Sequence, residues 1–304
     1  MEEVIEGLFD AGFSVWNNCI DLAGNMFQHS PRSYDGHLWG IVMGLFKYIL
    51  NGSVPLATLF FIIAIYKSVV SSPPEQALKK FLSDAMRYGI ILFVMFKLSD
   101  IIEGIMLFSD RFAQSVIRAA NISGKVRIEY GYGPVDSLME KIHQLNMDLS
   151  TVDVMDFGAT IQEFFKQMGP YILYFIGGVV TLLILVSSGL SVIGIAYQRI
   201  VKPLLMMPLS TVVLSMGCCS DEGTKQIWSM GKTFLGLCLS GGLFVLAVRM
   251  GGSVSSTLIA DYLSGSGNTS MSGQIITIVG ADANALIITA LLKSMDAMIQ
   301  KAFG

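Results

Sequence analysis

The stretch YILYFIGGVVTLLILVSSGLSVIGIAY, residues 171–197, carries no charged side chain. A hydrocarbon core of about 30 Å needs roughly 20 apolar helical residues, so this run crosses a bilayer with room to tilt. A basic segment broken by two prolines follows, Gln198-Arg199-Ile200-Val201-Lys202-Pro203-Leu204-Leu205-Met206-Met207-Pro208. Lys225, Trp228 and Lys232 come next, and then a second apolar run that ends at Arg249. That run is shorter, but Lys232 and Arg249 can snorkel their charges to opposite interfaces. The pattern is that of an all-α, polytopic integral membrane protein with a structured basic element between two spans.

Composition points the same way. Hydrophobic residues make up 53% of the 304 and charged residues 14%, with a mean hydropathy of +0.61. A soluble domain carries roughly 25% charged residues. Cys19, Cys218, Cys219 and Cys238 show no CxxC spacing, which argues against a zinc site and against a disulfide framework. The first residues are acidic (Glu2, Glu3, Glu6), unlike a cleavable secretory signal, so insertion is expected to use the internal spans.

Five spans are expected, at about 48–67, 86–108, 171–197, 233–249 and 273–293. Lys97, Asp100 and Glu103 interrupt the second, and Gly280-Ala281-Asp282-Ala283-Asn284 is able to break the fifth into a re-entrant hairpin. With the N-terminus outside, the inner segments hold ten of the 20 bases but only five of the 23 acids. Lys and Arg near span ends set topology, so N-out and C-in across a bacterial cytoplasmic membrane is the expected orientation.

The organisation that follows has five parts. Residues 1–37 form an extracytoplasmic amphipathic helix, with Ile5, Phe9, Trp16, Ile20 and Phe27 on one face, lying on the membrane or on a partner. Residues 38–108 hold the first two spans and a short basic inner loop. Residues 109–169 form an acidic extracytoplasmic helical loop, too long for a simple connector. Residues 170–252 hold the third and fourth spans around the proline-broken element, whose two prolines imply a bend or a re-entrant turn. Residues 253–304 supply a Gly/Ser-rich outer loop, the fifth span and a short inner tail.

Motifs that would signal catalysis fail on inspection. Gly231-Lys232-Thr233 resembles the end of a phosphate-binding loop, but Gln226 stands where the upstream glycine is required. Ser240-Gly241 sits in a span, yet no histidine lies in any span to act as its base. Gly280-Ala281-Asp282 has no matching second aspartate. Asp282 suits a proton or cation site, or more plainly an interhelical hydrogen bond. No cofactor or metal ligand set emerges. The glycines, Gly241 and Gly242 among them, thin the spans so that helices can approach closely.

Over about 171–252 the chain resembles the TrbL-type conjugal transfer proteins, polytopic inner-membrane subunits of type IV secretion systems. The shared features are the span ending in Arg199-Ile200-Val201-Lys202-Pro203-Leu204, then Pro208-Leu209-Ser210, a small-residue charged turn, Trp228, and Lys232-Thr233-Phe234 leading into a glycine-rich span. The resemblance implies a non-enzymatic scaffold or channel subunit, present in several copies. Its implied partners are pilus or pilus-tip components and secretion ATPases, together with membrane lipid and transient contact with transferred DNA. Arg199, Lys202, Pro203, Pro208, Trp228 and Lys232 would form the family's core element. A secondary transporter and the membrane subunit of an ATP-driven exporter are the alternatives from other classes. Transporter folds favour internal repeats around a midplane site, and the spans here show no convincing repeat.

Overall fold

The computed structural model describes residues 2–71, 73–119, 157–218, 221–265 and 271–303, and their regular structure is entirely helical. The helices are α1 (Glu2–Gln28), α2 (Pro31–Tyr34), α3 (Gly36–Ser71), α4 (Pro74–Ala119), α5 (Phe157–Met216), α6 (Asp221–Gly265) and α7 (Met271–Phe303). Among the described residues, three stretches are long and apolar enough to cross a membrane: Gly36–Val70 in α3, Ile172–Met216 in α5 and Glu222–Val248 in α6. The other expected spans lie on α4 and α7. Most of the acidic loop expected at 109–169 lies outside the described residues.

The helices run on through several points where a loop or a re-entrant turn was expected. The segment 198–216 continues α5 without interruption. A proline inside a helix costs about 3 kcal/mol. Here Pro203, Leu204, Met207 and Pro208 are all buried, and burying one large apolar side chain returns about 1.5–3 kcal/mol. Burial therefore offsets the lost backbone bonds, and the helix holds. In the same way α6 runs on to Gly265 through the expected Gly/Ser-rich loop, and α7 passes through 280–284.

The chain divides into two compact units. The first comprises Met1–Gly24, Gly124–Ile195 and Leu246–Ser294. Here the apolar face of α1 lies on α5 of the same chain, and glycines permit the approach. A Cβ at Gly178 would stand 3.3 Å from Leu8, and one at Gly189 would stand 2.9 Å from Cys19 Sγ. A Cβ at Gly12 would lie 3.2 Å from Leu185. Phe9 and Trp16 are completely buried in this seam. Gly251 of α6 packs on Ile288 and Leu291 of α7 by the same device.

The second unit comprises Asn25–Ser123, Ala196–Val245 and Met295–Gly304. Its α3 and α4 form a hairpin zipped by Thr58 Oγ1 with Tyr88 Oη (2.8 Å), by Phe61 stacked on Tyr88 (4.3 Å), and by Ser68 Oγ donating to Asp84 Oδ2 (2.7 Å). Ser53, midway along the apolar run of α3, donates to Thr211 Oγ1 of α5 at 3.0 Å. The segment 198–216 is thus packed into the core of this unit.

Candidate functional site: a buried arginine joint

The site begins where α1 has to end. Pro31 cannot continue a helix, and a residue before proline is driven to an extended backbone; Ser30 sits at φ −73° and ψ 162°. The last carbonyls of α1 are left without helical partners and carry the negative end of the helix dipole. Arg199 of α5 meets them. Its Nη1 donates to the carbonyls of Met26 (2.9 Å), Phe27 (2.9 Å) and His29 (3.2 Å), and its Nη2 donates to the carbonyl of Cys238 (3.3 Å). The residue is 2% exposed.

A buried guanidinium is costly unless hydrogen-bonded and compensated. Compensation comes from the α1 carbonyls and from Asp110 of α4, whose charge acts favourably on Arg199. Asp110 also fixes the start of α2. Its carboxylate accepts from the Ser30 backbone N–H (2.6 Å), Ser30 Oγ (2.9 Å) and Ser33 Oγ (2.9 Å). Between those two serines, Arg32 reaches Glu103 of α4 at 3.5 Å.

The space for this arrangement is made by glycine. A methyl group at position 241 would overlap the Arg199 guanidinium, and one at position 242 would stand 2.9 Å from the Phe112 ring. Ser109 of α4 donates to the same Cys238 carbonyl that Arg199 reaches. Phe27 and Phe244, with ring centroids 4.9 Å apart, pack alongside. The end of α1, the start of α2, and α4, α5 and α6 are therefore held at one buried point.

Of the residues singled out from sequence, the structure brings Arg199, Gly241 and Gly242 together here. Pro203 and Pro208 are buried further along α5, and Lys202 beside them is half-buried. Trp228 (69% exposed) and Lys232 lie on the outside of α6. Asp282 belongs to the other unit, where its Oδ2 accepts from Thr181 Oγ1 at 3.1 Å and the residue is 6% exposed. Lys97 and Asp100 form an exposed pair at 3.0 Å.

Sequence reasoning missed Asp110, Ser30, Ser33 and the carbonyls of residues 26–29. The Ser30-Pro31 pair was the available signal, because serine followed by proline is a helix start and so marks a break after α1. Apart from the buried Arg199 Nε, which has no hydrogen-bond partner among the described residues, the polar groups of the joint hold the ends and starts of neighbouring helices, which suits a mechanical tie between them. Among the described residues, no three His, Cys, Asp or Glu side chains gather to hold a metal ion. Family models, curated proteins and solved structures were all compared with the chain, and none matches.

Proposed function

We propose that the chain is a membrane-embedded scaffold and channel subunit of a bacterial conjugative type IV secretion system, supporting DNA and protein transfer and the assembly of a pilus or channel. In this reading about five helices, α3 to α7, cross the cytoplasmic membrane. Several copies assemble and contact pilus or pilus-tip components and the secretion ATPases. Lys202 and Lys232 lie near lipid phosphates or passing DNA. The role is non-enzymatic.

The observation that carries the reading is the joint at Arg199. The basic head of the family-like segment and the glycine pair of the following span meet at one buried point, and both are features on which the resemblance rests. A subunit that holds several helices around a passage needs such a tie more than it needs a reactive group. The test is crosslinking in native membranes followed by purification of the chain. Recovery of secretion ATPases and pilus components supports the proposal. Recovery of a nucleotide-binding exporter subunit in their place moves the assignment to the exporter alternative.

Asp282 favours a second reading, a cation-coupled permease. Its Oδ1 is buried and has no hydrogen-bond partner among the described residues, and a carboxylate among apolar helices is the usual mark of an ion path.

A further inference from the structure

We infer that the outer face of α1 lines a water-filled path at membrane depth, while the outer face of α5 beside it faces lipid. This rests on the channel reading above and assigns the lining to one helix. It also departs from an interfacial, extracytoplasmic placement of α1 and from a count of five membrane helices, because a helix running parallel to α5 at membrane depth adds one more.

The argument starts from register. Leu8 meets Gly178, Gly12 meets Leu182 and Cys19 meets Gly189, so the two helices advance together and in parallel. At 1.5 Å per residue the seam covers about 16 Å, half the hydrocarbon thickness. It runs beside 178–189, the middle of the charge-free run 171–197. Helix α1 therefore lies along the spanning run of α5 rather than across its end.

The two outer faces differ in chemistry at the same height. On α5 the exposed residues include Ile176, Val180, Leu183 and Leu190, with Ser187 the exposed polar exception, its hydroxyl donating to the Ile184 carbonyl of its own helix. On α1 they include Asp10, Ser14, Asn17 and Asp21, spaced at three to four residues so that they form one continuous stripe, with Asn18 beside it and the partly exposed Val15 and Leu22 alongside. No basic residue occurs anywhere in α1 to neutralise its acids. Lipid offers these side chains neither hydrogen bonds nor counter-charge, and polar residues at this depth face a bundle interior or a water-filled cavity. An acidic stripe without bases selects hydrated cations over anions.

The test is thiol accessibility in proteoliposomes made with the purified full chain. Asp10→Cys, Ser14→Cys, Asn17→Cys and Asp21→Cys are compared with Leu183→Cys and Leu190→Cys, one substitution at a time. Water-soluble cationic and anionic methanethiosulfonate reagents are used, with labelling sites read by peptide mass spectrometry. The buried native Cys19 serves as the internal unreactive reference. The stripe positions are expected to label at least ~10-fold faster than Leu183→Cys and Leu190→Cys, and faster with the cationic reagent, since charge-lined clefts concentrate counter-ions by about that factor or more. Replacing Asp10 and Asp21 by neutral Asn beside Asn17→Cys should erase the cationic preference. Equal labelling of both faces would place this unit in water and overturn the inference, as would failure of the whole stripe to label. Neither failure bears on DNA transfer, which is measured separately, so the channel reading stands or falls on its own assay.

Discussion

Replacing Gly241 by Ala probes the joint most sharply, because the sign of its effect depends on Arg199. In the native chain the new methyl group would overlap the guanidinium, which must leave a site where it makes four hydrogen bonds. Hydrogen bonds to charged groups contribute about 1.5–3 kcal/mol each, and an uncompensated buried charge costs about 3–5 kcal/mol. Alanine returns roughly 1 kcal/mol of helix propensity. The expected net loss is therefore about 2–4 kcal/mol. Arg199→Met removes both the charge and the overlap, leaving α1 carbonyls uncapped at a cost of about 1–3 kcal/mol. In that background Gly241→Ala meets no guanidinium and should be neutral or stabilising by up to about 1 kcal/mol. The assay is a double-mutant cycle on unfolding in detergent, and the expected coupling energy is at least ~2 kcal/mol. Additive losses, with Gly241→Ala destabilising equally in both backgrounds, would refute the joint.

Three further outcomes are expected. Asp110→Ala should destabilise the chain by about 1–3 kcal/mol, since Ser30 and Ser33 lose a shared acceptor, and Asp110→Asn should cost less because its amide oxygen still accepts; detergent unfolding distinguishes the two. Pro203→Ala with Pro208→Ala should leave helical content by circular dichroism and protein level unchanged, since α5 is already continuous, while reducing DNA transfer; full transfer would reduce 198–216 to a connector. Asp282→Asn preserves an acceptor for Thr181, so stability and DNA transfer should both persist; loss of cation-dependent stabilisation in that variant would instead favour the permease.

What was legible in the sequence was what periodicity and charge encode. The uncharged run 171–197 marks a spanning helix without help from any other part of the chain, and the structure places it within α5. The apolar face of residues 3–27 was equally plain, but its host was not. A helix face states that something covers it, while the identity of the cover depends on Gly178 and Gly189 far away in sequence. The uninterrupted run of α5 through Pro203 and Pro208 is not legible locally, because propensity opposes it. The burial that outweighs it comes from packing, including Ser53 of α3 against Thr211. In the sequence Arg199 reads as the flank of a span and Gly241 and Gly242 as packing glycines, with nothing to join them. Their meeting with Asp110 and the end of α1 is a tertiary fact that spacing does not carry.

The central claim is participation in conjugative transfer, and a mating assay tests it most directly. An in-frame deletion of the gene in its native host is compared with wild type and with a complemented strain. The account expects DNA transfer to be lost at normal growth and restored by complementation with the native chain. Unchanged transfer frequency in the deletion strain would contradict it.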